Sequence, residues 1–163
     1  MPFSVCFVCT GNICRSPMAE SVFRARVEDA GLDGLVVVDS AGTGGWHEGD
    51  GADPRTVDVL REHGYPSGHV ARHFRPSWFA RLDLVIALDE GHLRELRRLA
   101  PTAADAAKVR LLRSYDPAAG ADLDVPDPYY GGTDGFKECL DMVESASEGL
   151  LAAVRDAVEE KAA

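Results

Sequence analysis

Phe3 to Val8 is apolar at every position except Ser4 and runs directly into Cys9-Thr10-Gly11-Asn12-Ile13-Cys14-Arg15, after which Ser16-Pro17 opens a helical pattern. A short run that is apolar on both faces fits a buried strand of a parallel sheet, which is covered on both sides. Gly11 and Asn12 tolerate left-handed backbone, so the segment that follows reads as a tight loop. Ser16 is a good N-cap and Pro17 suits the first helical position. Ala19, Val22, Phe23, Val27 and Ala30 then share one helix face, and Gly31 ends it. Strand, loop and helix in this succession form the start of a β-α-β unit.

The alternation repeats along the chain. Leu35 to Val38 reads as a second strand, and Asp53-Pro54 starts a helix that ends near Gly64. Leu82 to Leu88 reads as a third strand; Asp89 caps a helix carrying Leu93, Leu96 and Leu99 and closed by Pro101. Val109 to Leu112 reads as a fourth strand, and a last helix runs from about Phe136 to Glu160, with a kink expected at Gly149. Four such alternations predict an α/β fold, a doubly wound four-stranded parallel sheet with flanking helices and right-handed crossovers. The 163 residues read as one domain, 1–163, with no repeat and no linker. In such sheets ligands bind beyond the carboxyl ends of the strands. The loop at Cys9 lies there, flanked by the glycine-rich stretch Ala41 to Ala52 and by the long connection Arg113 to Asp134.

Lys and Arg number 17 against 27 Asp and Glu, a formal net charge of −10. That balance argues against a nucleic-acid partner, which needs a basic face, and against docking on anionic lipid. No apolar run approaches the roughly 18–20 residues that span a bilayer. Met1-Pro2-Phe3-Ser4 carries no basic stretch before its short apolar run, so no secretory signal is expected. The four cysteines are Cys6, Cys9, Cys14 and Cys139; with no signal, functional thiols in a reducing cytoplasm are the expectation.

The loop suits one dianion of phosphate size. Successive backbone N–H groups in a Gly/Asn turn make an anion-binding nest, and the helix start adds partial positive charge. Arg15 adds a planar fork that matches two phosphate oxygens. No Gly-Lys-Ser/Thr follows, so this is not a nucleoside-triphosphate loop. Cys9 stands at the head of this cradle, where the same field favours a thiolate aimed at a bound phosphorus. Ser16 is placed to donate a hydrogen bond to that sulfur.

The string Val8 to Pro17 resembles the signature loop of the low-molecular-weight protein tyrosine phosphatases. The resemblance extends over nearly the whole chain: Asp39-Ser40-Ala41-Gly42-Thr43, His63-Gly64, His69-Val70-Ala71-Arg72, Leu88-Asp89-Glu90 and Asp127-Pro128-Tyr129-Tyr130-Gly131 stand where the family has its own segments. The resemblance implies hydrolysis of phosphotyrosine in proteins through a cysteinyl-phosphate intermediate. Cys9 would be the nucleophile, Arg15 and the amides of Thr10, Gly11, Asn12, Ile13 and Cys14 the phosphate clamp, and Asp127 the general acid and then base. Asn12 would brace the loop with Ser40 and His69, while Trp46, His47, Tyr129 and Tyr130 would line a cleft for the phenyl ring. The family needs no metal or cofactor. It implies tyrosine-phosphorylated proteins or peptides as substrates, inorganic phosphate as product, and a redox-sensitive Cys9–Cys14 pair. A monomer is expected, and signal-independent export occurs among bacterial relatives.

Four other readings compete. Arsenate reductases on this fold need two further cysteines after strand three, and Val85 to Ala107 has none. Protein arginine phosphatases resemble the chain closely but carry Thr at the position of Ile13, which offers apolar contact to a phenyl ring. Cys6, Cys9 and Cys14 faintly match a metal-site spacing but show no fourth ligand nearby. A non-catalytic phosphotyrosine-binding module would have no use for Asp127. Asp89 reads as a plain helix cap.

Overall fold

The computed structural model describes residues 2–162. Four strands, β1 (Phe3–Cys9), β2 (Val36–Gly42), β3 (Leu84–Ala87) and β4 (Val109–Leu111), form one sheet in the order β2-β1-β3-β4. Every pairing is parallel, with Phe3 opposite Val36, Val5 opposite Leu84 and Val85 opposite Val109. Five α-helices are placed around it: α1 (Arg15–Asp29), α2 (Pro54–Glu62), α3 (Glu90–Leu99), α4 (Ala103–Ala106) and α5 (Thr133–Ala162).

The period-2 alternation of β1 divides the interior into two cores. Val5, Phe7 and Cys9 face a cluster built with Met18, Val22 and Phe23 of α1 and Phe136, Leu140 and Val143 of α5. Cys6 and Val8 face the opposite cluster, with Phe74, Phe79, Leu82 and Leu96. Helices thus cover both faces, and the chain leaves β1 towards β2 on one side and β3 on the other. The crevice beyond the carboxyl ends of β1 and β3 is the ligand position of a doubly wound sheet.

Several boundaries differ from those read in the sequence. The second strand does not end at Val38 but continues through Asp39, Ser40 and Ala41 to Gly42, because these residues pair in register with Cys6 to Cys9. Their side chains have low strand propensity, and ladder pairing overrides it. The third strand is shorter than expected, since Leu82 and Leu88 are buried but lie outside the ladder. The fourth ends at Leu111, one residue early.

Ser16 is not the N-cap of α1. Cys14 holds that position, and Ser16 and Pro17 lie inside the first turn. The hydroxyl that was expected to cap is used by the loop instead. The last helix starts three residues before Phe136, since Thr133 and Asp134 are exposed, Gly135 has no side chain, and none of them adds to the apolar face. It runs unbroken as helix through Gly149. A Cβ there would fall 1.9 Å from the carbonyl oxygen of Tyr115, so this glycine serves close approach of two backbones rather than a kink. Helix α4 and the 3₁₀ turns Pro76–Ala80 and Leu112–Tyr115 were too short to leave a periodic signal.

Candidate active site

β1 delivers Cys9 and α1 begins at Arg15, so residues 10–14 must turn within one tight loop. Asn12 takes the left-handed conformation this needs, at φ 58°. The end of β2 closes against the loop. Thr43 and Gly44 donate their N–H groups to the carbonyls of Cys9 and Thr10 at 2.8 and 3.0 Å. A Cβ at Gly42 would sit 2.6 Å from the Thr10 carbonyl oxygen, so only glycine permits this contact. Among the described residues the N–H groups of Gly11 to Cys14 donate to no main-chain carbonyl. Free donors in a left-handed turn at a helix start make an anion nest.

Asn12 is fully buried and braces the loop from behind. Its amide donates to Ser16 Oγ at 2.8 Å and Ser40 Oγ at 3.0 Å, and its side-chain oxygen accepts from the Arg72 N–H at 2.8 Å. The Asn12 carbonyl accepts from His69 Nε2 at 2.7 Å. Burial lowers the pKa of His69, although the bond to the Asn12 carbonyl works in the opposite direction. Ser40 passes the chain on to Glu20 at 2.5 Å. The network of Asn12, Ser40 and His69 is therefore present, with Arg72 and Glu20 added to it.

Cys9 is only 3% exposed, at the floor of the loop. Its sulfur lies 3.0 Å from Ser16 Oγ and accepts from the Ser16 N–H at 3.4 Å. The side chains of Asn12 and Ser16 stand behind the loop and do not line the cavity, so they act as supports, while the Asn12 N–H remains one of the free donors of the nest. The cavity in front has a volume of about 350 Å³ and is lined by Cys9, Thr10, Gly11, Ile13, Cys14 and Arg15 at its base. Trp46, His47, Asp127, Tyr129 and Tyr130 form the walls. Among the described residues Trp46 and Tyr130 are the most exposed large apolar side chains, at 76% and 89%, and Tyr130 meets Tyr129 edge-on at 5.0 Å. A cavity of this size with aromatic walls over a polar floor accommodates a small aromatic ligand.

Arg15 is buried among acceptors. Nη1 donates to Asp89 Oδ2 and to the Val125 carbonyl, both at 2.9 Å, and Nη2 lies 3.6 Å from Asp127 Oδ2. Burial opposes its charge, but Cys9, Asp89 and Asp127 outweigh that cost and raise its pKa above the ordinary value. Asp127 sits at the rim; its Oδ1 accepts from the Tyr129 N–H at 3.0 Å. A nucleophilic sulfur, a fixed cation and a carboxyl thus converge on one cavity.

Sequence reasoning missed three side chains here. Asp89 does cap α3, accepting from the His92 N–H at 2.8 Å, but its other oxygen anchors Arg15. His92 contacts the Thr10 hydroxyl at 2.8 Å and Arg15 Nη2 at 3.5 Å; its Nδ1 lies 3.2 Å from Asp89 Oδ1 without hydrogen-bond alignment. Burial, and then the charge of Arg15, push His92 down to about 4. Arg55 reaches the segment after Asp127. The Asp89-x2-His92 spacing at a helix start was the only local signal for any of them.

Cys6 and Cys9 point to opposite faces of the sheet, which excludes them as a chelating pair. Among the described residues no group of three or more His, Cys, Asp or Glu side chains could hold a metal ion. Cys14 is buried, and desolvation, then Asp53 and Cys9, push its thiol up to about 12. Among the described residues no helix is long and apolar enough to cross a membrane.

The sequence profile of the low molecular weight phosphotyrosine protein phosphatases matches residues 4–160. A low molecular weight protein-tyrosine-phosphatase of Streptomyces coelicolor is 77% identical over 164 aligned positions, covering all of both chains. Among solved structures, a protein tyrosine phosphatase from Entamoeba histolytica superposes with a TM-score of 0.91 at 34% identity, covering 95% of this chain and 98% of the other. A Drosophila arginine phosphatase superposes with a TM-score of 0.85 at 33% identity, covering 91% and 96%.

Proposed function

Since the chain belongs to the low molecular weight phosphotyrosine protein phosphatase family, we propose that it hydrolyses phosphotyrosine in proteins and that Cys9, Arg15 and Asp127 carry the reaction. One observation bears most of the weight: Cys9 and Arg15 line the base of the same cavity whose walls hold Asp127 and the aromatic side chains.

The phosphate of the substrate takes the nest formed by residues 10–14, with Arg15 spreading charge over its outer oxygens as the transition state loosens. The Cys9 thiolate attacks phosphorus, and the bond to the phenolic oxygen breaks. Asp127 gives that oxygen its proton. A cysteinyl phosphate remains. Asp127, now a carboxylate, takes a proton from water as the water attacks phosphorus, and the sulfur leaves as thiolate, stabilised by Ser16 at 3.0 Å. Inorganic phosphate departs, and no metal or cofactor enters the cycle.

The fold is shared with a protein named an arginine phosphatase, so fold alone does not select the substrate. Ile13 in the cavity base and the open ring of Trp46 and Tyr130 favour an aryl group. Four free cysteines fit a reducing compartment, and we place the protein in the cytoplasm as a single-domain monomer.

The test is phosphate release from phosphotyrosine, phosphoserine and phosphoarginine peptides in chelator, with wild type, Cys9→Ser and Asp127→Asn. Phosphotyrosine alone should turn over, with no turnover by Cys9→Ser and a loss of roughly 10²-fold or more in Asp127→Asn. Turnover of phosphoarginine would move the substrate class. Tight phosphopeptide binding without turnover would make the protein a reader.

A further inference from the structure

We infer that Arg55 is a positioning residue for the general acid: its guanidinium ties the segment that carries Asp127 to the helix start that abuts the phosphate loop. The inference rests on the function proposed above.

Arg55 is the second residue of α2. Its Nε and Nη2 donate to the two oxygens of Asp53 at 3.1 and 3.0 Å, a bidentate pair. The same fork reaches across the cavity edge: Nη1 donates to the Gly131 carbonyl at 3.1 Å and Nη2 to the Tyr129 carbonyl at 3.0 Å. Its planar face stacks 4.5 Å from the centre of the Phe136 ring and 5.5 Å from that of Tyr129. Asp53 in turn donates its own N–H to the Ile13 carbonyl, inside the phosphate loop, at 2.8 Å. A continuous path therefore joins Ile13, Asp53, Arg55 and the carbonyls of Tyr129 and Gly131.

The other side of Asp127 is already held. Val125 accepts from Arg15 at 2.9 Å and donates to the Leu88 carbonyl at 2.8 Å. Asp127 is thus midway between two carbonyls, those of Val125 and Tyr129, each fixed by an arginine. The remaining hydrogen bonds of the segment are local. The Tyr129 N–H reaches Asp127 and the Gly131 N–H reaches Pro128, so both bonds travel with the turn. Such bonds set the shape of the turn but not its distance from Cys9. Arg55 is half-buried beside the buried Asp53 and does not line the cavity. The role of Arg55 is geometric, and a misplacement of about 1 Å can cost a catalytic group on the order of 10²-fold.

The experiment is a series of aryl phosphates whose phenols span acidic to weakly acidic, together with a phosphotyrosine peptide. It compares wild type, Arg55→Ala, Arg55→Lys and Asp127→Asn with the two double variants. The more basic the departing phenoxide, the more it needs the proton of Asp127. Arg55→Ala should lose about tenfold in kcat/KM on the phosphotyrosine peptide and much less on the most acidic phenol. Its dependence on phenol pKa should steepen towards that of Asp127→Asn. In the Asp127→Asn background, removing Arg55 should add little further loss. Inhibition by orthovanadate, which reports the cradle, should stay within about twofold in Arg55→Ala and Arg55→Lys, since the Arg55 side chain does not line the cavity. Arg55→Lys keeps the charge but not the fork, and should show the same graded loss. Equal loss on every phenol, full additivity with Asp127→Asn, or wild-type behaviour of Arg55→Lys would overturn the inference. Absence of phosphotyrosine turnover by the wild type would instead remove the proposed function itself.

Discussion

Arg15 and Asp89 stand 74 positions apart in the chain and are joined by a 2.9 Å ion pair whose carboxylate also caps α3. One side chain thus fixes both the cation of the cradle and the start of the helix behind it. Asp89→Asn and Asp89→Ala separate the two roles. Asn is as good a cap as Asp, whereas Ala removes the cap at about 1 kcal/mol. Both lose the charge that orients Arg15. Both variants should therefore fall about tenfold or more in kcat/KM, while urea unfolding should show Asp89→Ala the less stable by about 1 kcal/mol. Full activity in Asp89→Asn would mean that Arg15 is held well enough by Val125 and Asp127.

Gly42 supplies a second prediction. A methyl group there would meet the Thr10 carbonyl at 2.6 Å and the Asn12 nitrogen at 3.1 Å, both backbone atoms of the cradle. Neither can yield without moving the loop. Gly42→Ala should destabilise by roughly 1–3 kcal/mol and weaken orthovanadate inhibition more than tenfold. Gly34→Ala is the control, since nothing lies within 4 Å of its Cβ position. It should leave activity unchanged and stability equal or higher.

His92 sets a third, through pH. Its folded pKa is held down at about 4, against 6.5 for the free ring, by burial and then by Arg15. Between these values the unfolded chain binds more protons than the folded one. Stability from this group is therefore complete above pH 6.5 and is lost as pH falls towards 4. His92→Gln keeps a side-chain amide near Thr10 and does not titrate. Its urea midpoint should fall less between pH 6.5 and 4.5 than that of the wild type. His69 is also depressed, but it is common to both proteins and cancels in the difference. Asp89 is lowered as well, and its loss begins only below its ordinary 3.8. Parallel curves for the two proteins would remove His92 as the source.

The fourth concerns oxidation. Peroxide converts the Cys9 thiolate to a sulfenic acid, and attack by the Cys14 thiolate would expel hydroxide and form the disulfide. Cys14 is held up at about 12, chiefly by burial, so little of it is thiolate at neutral pH. Disulfide formation after a peroxide pulse should accelerate about tenfold per pH unit between pH 7 and 9. Cys14→Ala should lose thiol-dependent recovery. A pH-independent rate, followed by mass spectrometry of quenched samples, would show that Cys14 is not the attacking group.

The sheet and the cradle were legible because each leaves a local signal. Phe3 to Val8 shows two buried faces, and the loop carries Asn12 where the backbone turns left-handed, while Gly11 does not use that freedom. The rest depends on contacts across the chain. Strand β2 continues to Gly42 only because β1 lies beside it, and no propensity in Asp39 or Ser40 announces that. Ser16 has the residue type of a cap, yet its hydroxyl faces Cys9 and Asn12 instead. Asp89 displayed its capping role through position and hid its ion pair, since the partner lies far away in sequence. Arg55 looked like any exposed helix cation, and its acceptors are main-chain carbonyls that leave no trace in side-chain chemistry. Gly149 resembled a flaw in a long helix until Tyr115 was seen against it.

The bond from Arg15 to the Val125 carbonyl spans 110 positions, and Asp127 lies just beyond it. During synthesis the cradle is made early and Asp127, its proposed proton donor, late. At roughly 5–20 residues per second, the nascent chain carries an exposed Cys9 for several seconds before either Val125 or Asp127 has left the ribosome. Competence to turn over phosphate esters, on the proposed mechanism, therefore waits for residues 125–127, and a message cut short before them yields a cradle without its proposed proton donor.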